Sequence, residues 1–164
     1  MQNRNNKMKA ATVQEIKLEL QQLPQTKVTE LCLRLARFKK ENKELLTYLL
    51  FEADDMPLYI KHVNEEVDAL FETINKSNVY FVKKTLRKIV RTAAKYVRYS
   101  GSETVEAEVL IYLCTRIKEL GTTINSNTII SNIYKAQLKK IDKVIAAMHE
   151  DLQYDYVKQV RKLG

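Results

Sequence analysis

The sequence predicts an all-α fold. Only three Gly and two Pro occur in 164 residues, so residues that break helices are scarce. Leu, Lys, Glu, Ala and Gln are common, and these side chains lose little rotamer freedom in a helix. Apolar residues also recur at spacings of three and four, as in Ile60, Val63, Val67, Leu70, Phe71 and Ile74. The expected architecture is about seven helices in a compact irregular bundle or a small α–α superhelix. Residues 1–11 read as a flexible lead-in and 12–164 as a single helical domain.

Thr12 and Glu15 have capping-box spacing, which predicts a short helix to about Leu20. Pro24 breaks it. A second helix is expected from about Thr26 to Lys40, with Val28, Leu31, Leu35 and Phe38 on one face. Asn42 is a candidate cap for a third, about Lys43 to Ala53. That segment holds Leu45, Leu46, Tyr48, Leu49, Leu50 and Phe51 and is apolar nearly all round, the mark of a central buried helix. Asp54 and Asp55 cap the next helix, where Pro57 is tolerated in the first turn. Ser77 is the expected cap of a fifth helix, which stops at Ser100-Gly101. A sixth runs from about Glu103 to Leu120 before Gly121. Its unbroken apolar block Val109 to Cys114 predicts burial on more than one side. Ser126 opens a long last helix, with Ile130, Ile133, Tyr134, Leu138, Ile141, Val144, Ile145, Met148 and Leu152 facing inward. The tail from Tyr154 either continues it or frays. Connections this short predict that successive helices pack antiparallel.

The alternation of dense and amphipathic helices resembles HEAT- or armadillo-like helical pairs in general texture. No motif carries the likeness, no fixed-period repeat is present, and no residue role follows from it.

Composition excludes some classes and favours others. Cys32 and Cys114 lie far apart in apolar helical patterns, without metal-ligand spacing, and are expected as buried thiols. Met1 to Lys9 lacks the apolar stretch of a secretory signal, and no apolar run has the length of a membrane span. A soluble cytoplasmic protein is expected. His62 and His149 are the only histidines, and no Gly-rich nucleophile elbow, phosphate-binding loop, dinucleotide fingerprint or zinc spacing occurs. No catalytic residue, cofactor or metal is therefore assigned. His62-x-x-Glu65 reverses the order that di-iron bundles use and reads as a surface histidine beside carboxylates.

The strongest signal is charge. The chain carries a net +8, placed unevenly. Residues 52–75 hold seven acids against Lys61 alone, and residues 76–98 hold eight bases and no acid. Within the fifth helix, Lys83, Lys84, Arg87, Lys88, Arg91, Lys95 and Arg98 fall inside an arc of roughly 140° at about 100° per residue. Val82, Leu86, Ile89, Val90, Ala93 and Val97 fill the opposite side. A single-signed amphipathic stripe calls for a polyanion or an acidic neighbour.

Two accounts compete for it. In the first, the seven cations meet backbone phosphates, and Tyr80, Tyr96 and Tyr99 stack on bases. Lys135, Lys139, Lys140 and Lys143 on the last long helix extend the surface. In the second, Glu65, Glu66, Asp68 and Glu72 of the preceding helix answer the bases across the seam. One neighbour covers only part of the arc, so Lys84, Arg91 and Arg98 at its middle are expected to stay free, and Lys83 and Lys88 at its edges are the easiest to pair.

The expected function is a non-enzymatic binding module with the basic helix as contact face. Its partner is a nucleic acid or an acidic protein surface, and no membrane is involved. A protein–protein interaction scaffold using an apolar groove is the alternative. A lower reading is a Mg²⁺-dependent enzyme. All-α nucleotide pyrophosphohydrolases use Glu-Glu-x-x-Glu with Glu-x-x-Asp, and Glu65-Glu66 with Glu103-x-x-Glu106 partly resembles that pair. Ala69 stands where the third carboxylate belongs, and Glu106 replaces the Asp. Acids in a first helical turn also suit the helix dipole.

Overall fold

The computed structural model describes residues 9–121 and 127–164. The expected lead-in as far as residue 8, and the helix start at Ser126, lie outside them. Among the described residues the chain is all-α, with eight α-helices and no strand. They are α1 (Val13–Gln22), α2 (Gln25–Phe38), α3 (Lys40–Thr47), α4 (Met56–Glu72), α5 (Val79–Ser100), α6 (Glu103–Lys118), α7 (Thr128–Ala147) and α8 (Glu150–Val160). A π-helical turn, Tyr48–Glu52, follows α3. The chain divides into two units, one ending at Leu46 and the other Thr47–Gly164.

The first unit is built from local signals and has little interior. Thr12 and Glu15 form the expected capping box: the Thr12 amide donates to Glu15 Oε2 at 2.7 Å, and the Glu15 amide donates to Thr12 Oγ1 at 3.2 Å. Pro24 separates α1 from α2 and itself occupies the N-cap of α2. No residue of α1, α2 or α3 is buried. The α2 stripe is largely solvent-facing, with Phe38 76% exposed. Cys32, expected as a buried thiol, is exposed. Amphipathic periodicity identifies a helix face but not what covers it.

The third helix departs furthest from expectation. It begins at Lys40 rather than Lys43, and Asn42 does not cap it: its Nδ2 donates back to the Leu35 carbonyl at 2.8 Å. The α-helix ends at Thr47, and Leu49, Leu50 and Phe51 fall on the π turn, exposed, with Phe51 at 80%. This segment is not a central buried helix.

The second unit holds the core, and α6 is its centre. Helix α6 packs against α4, α5, α7 and α8. Its buried residues are Val105, Ala107, Val109, Leu110, Ile111, Leu113, Cys114 and Ile117, so the dense block is buried on more than one side as expected. Tyr112 is the exception within the block; its hydroxyl turns to Asp68 Oδ2 at 2.5 Å. From α4 come Val63, Val67 and Phe71, joined by Ile74 just beyond the helix, with Ile60 and Leu70 half-buried. Helix α5 contributes Val82, Leu86, Ile89, Ala93 and Val97.

Caps set the boundaries. Asp55 accepts from the Leu58 amide at 3.0 Å, with Pro57 in the first turn. Asn78, one residue after the expected Ser77, caps α5 by accepting from the Tyr80 amide at 2.8 Å. Asn carries the short acceptor that an N-cap needs as readily as Ser. Gly101 ends α5 at φ 59°, and its amide returns to the Val97 carbonyl at 3.2 Å. No atom lies within 4 Å of a Cβ added there. Gly101→Ala therefore loses stability through backbone strain alone, about 1 kcal/mol, measured by chemical denaturation.

Side-chain bonds fix the directions. Tyr59, at the start of α4, donates to the Tyr96 carbonyl near the end of α5 at 2.8 Å, so these two helices are antiparallel. Tyr156 of α8 donates to Glu108 at 2.9 Å, and Lys118 at the end of α6 donates to the Lys162 carbonyl at 3.0 Å, so α6 and α8 run parallel. Tyr134, early in α7, donates to the Leu163 carbonyl at 2.7 Å. Helix α7 is thus antiparallel to α6 and α8, and parallel to α5.

The expected long last helix is two helices. Met148 leaves the helical region at ψ 164°, His149 caps α8, and Leu152 is exposed rather than inward. The tail does not fray: Tyr156 and Leu163 are buried. Cys114 is fully buried, and burial pushes its thiol up to about 12. A thiol-specific reagent should therefore label one cysteine quickly in the native protein, Cys32, and reach Cys114 only on unfolding. Mass-spectrometric mapping of the label checks this.

Candidate functional site

The basic stripe occupies the solvent side of α5. Its apolar stripe anchors the helix against α4 and α6, which leaves the opposite arc outward. Lys84, Arg87, Lys88, Arg91 and Arg98 are exposed; Lys83 and Lys95 are half-buried. Among the described residues, Lys83, Lys84, Arg87, Lys88, Arg91 and Arg98 have no carboxylate within ion-pairing distance. Lys95 is engaged: its ammonium sits 4.8 Å over the Tyr96 ring.

The acids of α4 turn elsewhere. Glu65 lies 3.8 Å from Lys61 on its own helix. Asp68 meets α6: its Oδ1 is 2.8 Å from Arg116 Nε, an ion pair without hydrogen-bond alignment. Arg116 also pairs with Glu119 and stands 5.4 Å over the Phe71 ring. His62 Nδ1 is 3.5 Å from Glu52. The acid–base seam of the second account is thus absent for those six cations among the described residues. Even the edge residues Lys83 and Lys88, the easiest to pair, have no acid beside them.

The three tyrosines differ in situation. Tyr96 and Tyr99 are half-buried and pack edge to face at 5.9 Å. Tyr80 is 62% exposed, and its ring meets the neighbouring Phe81 ring at 5.6 Å. At about 100° per residue Tyr80 falls at the middle of the basic arc, on the same line as Arg98 and Arg91.

Lys135, Lys139, Lys140 and Lys143 are all exposed on α7. Between α5 and α7 lies a cleft of about 550 Å³, lined by Arg87, Val90 and Arg91 on one side and Ile129, Asn132, Ile133, Ala136 and Gln137 on the other. The structure thus places Arg87 and Arg91 opposite the first half of α7. On the helical wheel Lys140 and Lys143 share the cleft-facing side of α7, one and two turns farther on. Because α7 runs parallel to α5, they continue toward the Arg98 end.

Gln137 was not singled out by the sequence. It is 4% exposed, the one polar side chain among the buried residues described. The available signal was its position, seven residues after Ile130 and four before Ile141, on an otherwise apolar inward stripe.

The remaining candidate chemistry is dispersed. Among the described residues no three His, Cys, Asp or Glu side chains come together to hold a metal ion. Glu103 and Glu106 occupy the first turn of α6, where acids complement the helix dipole. No described helix is long and apolar enough to cross a membrane. No protein family, curated protein or solved structure matches the chain.

Proposed function

We propose that this chain is a non-enzymatic binding module whose contact face is the outward side of α5, carried on an irregular helical bundle, and that its partner is a nucleic acid. The observation that supports this reading is the set of six cations on one face without a carboxylate partner. Cations in a row without carboxylate partners bind phosphates by releasing condensed counterions. A helix of about 22 residues spans roughly 33 Å, comparable to one duplex turn. Lys135, Lys139, Lys140 and Lys143 add positive potential on the adjacent helix.

Fluorescence anisotropy with labelled DNA and RNA oligonucleotides tests the proposal. Binding at low salt should weaken steeply as salt rises, with a slope of log affinity on log salt near −0.9 per duplex phosphate contact, about −0.7 on single strands. No binding to any oligonucleotide at low salt sinks it.

A second reading has its own support. Val13, Leu35 and Phe38 of the first unit are exposed, and no residue of its helices is buried. A segment with so little interior commonly completes its core on a partner. This favours a protein–protein interaction scaffold, and the two roles are compatible because they use different residues.

A further inference from the structure

We infer that the α5–α7 cleft seats an unstacked nucleobase, so that the nucleic acid bound by this face is single-stranded. The inference rests on the proposed nucleic-acid reading and adds the state of the strand.

The cleft differs in kind from the rest of the basic face. Arg87 and Arg91 stand one turn apart at its edge, both exposed and both without an acidic partner among the described residues. Its lining is mostly apolar, with Val90 and Ile133 half-buried and Ile129 and Ala136 exposed. A phosphate alone needs no apolar lining. A planar, weakly solvated ring does, and a guanidinium stacks on such a ring as readily as it binds phosphate.

Gln137 supplies the polar element. Its Nε2 donates to the Ile133 carbonyl at 3.4 Å, which is a long bond within its own helix. Among the described residues its second amide hydrogen and its carbonyl oxygen have no protein partner. A carboxamide has up to four hydrogen-bonding positions, and the Gln137 carbonyl oxygen is not among the buried atoms that lack a partner, so it stays open to solvent on the cleft side. A carboxamide donor and acceptor side by side match the donor–acceptor edge of a base. Asn132 offers a second amide at the rim.

A duplex keeps its base faces stacked and could use only the phosphate-binding cations. A single strand can present a base to the cleft while its backbone follows the arc. Tyr80, exposed at the middle of that arc, gives a second stacking surface. An acidic peptide would also satisfy the arginines, and its planar amides carry donors and acceptors; what a chain such as poly-glutamate lacks is an aromatic ring to stack on the guanidiniums and the apolar lining.

The test compares three labelled probes of about twelve nucleotides, within the usual site size of single-strand binders: a thymidine strand, an abasic strand with the same phosphates, and a duplex. Two variants accompany the parent. Ala136→Phe fills the cleft from an exposed helix position without changing charge. Gln137→Leu removes the buried amide at nearly constant volume. Circular dichroism confirms that both stay helical. The parent should bind the thymidine strand at least about fivefold tighter than the abasic strand or the duplex, the smallest effect that base stacking gives. Ala136→Phe should erase that preference and leave duplex binding and its salt slope unchanged. Gln137→Leu should reduce the preference in part.

Equal binding of all three probes by the parent, or an unaltered preference in Ala136→Phe, overturns the cleft inference and leaves the basic-face proposal standing. Absence of binding to every probe overturns both. Equal displacement of the thymidine strand by poly-glutamate also overturns the inference, because it assigns the face to acidic protein.

Discussion

Replacing Lys84, Arg87, Arg91 and Arg98 together by Gln should reduce nucleic-acid affinity on the order of 100-fold at low salt and flatten its salt dependence. The four lie along one arc, all are exposed, and among the described residues none is answered by a carboxylate. Each phosphate contact contributes about 0.9 to the slope on a duplex and about 0.7 on a single strand, so losing as many as four flattens it by up to about 3.6 units on a duplex and about 2.8 on a single strand. The fold should be indifferent. Exposed substitutions away from caps and cores usually change stability by about 0.5 kcal/mol or less, and Gln is a good helix former. An unchanged slope in a folded variant would show that these residues do not touch phosphates.

The second large effect concerns the centre of the fold. Leu113→Ala should destabilise the protein by about 3 kcal/mol, within the range of roughly 2–5 seen for buried Leu truncation. Leu113 is fully buried on α6, the helix that contacts α4, α5, α7 and α8. A cavity there has packed elements on several sides and little room to relax, which places the cost above that of a peripheral site. The corresponding drop in melting temperature is about 10 °C. Leu35→Ala makes the contrast, because Leu35 is 60% exposed. It should change stability by about 0.5 kcal/mol or less.

That contrast marks where sequence patterning carried information and where it did not. The stripe of α4, the inward face of α5 and the dense block of α6 were all legible. Each repeats at the helical period, and each is bracketed by a cap or a Gly. The segment from Lys43 to Ala53 departs from its pattern because an apolar helix segment says only that something should cover it. Leu49, Leu50 and Phe51 sit exposed on a π turn instead. The break between α7 and α8 has no Gly or Pro to announce it. Its only trace is His149 followed by Glu150 and Asp151, a polar cap with acids in the first turn.

The candidate face was half legible. Helical spacing placed the seven cations on one arc, but adjacency of acidic and basic helices in sequence did not make them partners. Helix α4 borders both α5 and α6, and Asp68 takes Arg116 of α6. Which flank an acid uses depends on how the helices are rotated against each other, and sequence spacing alone does not set that. The cleft was not legible, because it needs α5 and α7 side by side. Gln137 left a faint signal as one polar residue within an apolar stripe.

The central claim is that the outward side of α5 is the contact face. Lysine acylation read by mass spectrometry, with and without a saturating single-stranded oligonucleotide, tests it most directly. Lys84 and Lys88 on α5 should be protected, along with Lys140 and Lys143 on α7. Lys61 on α4 and Lys158 on α8 should react equally in both states. Protection confined to Lys17 and Lys27 of the first unit, or no protection under conditions where the oligonucleotide is bound, would contradict the account.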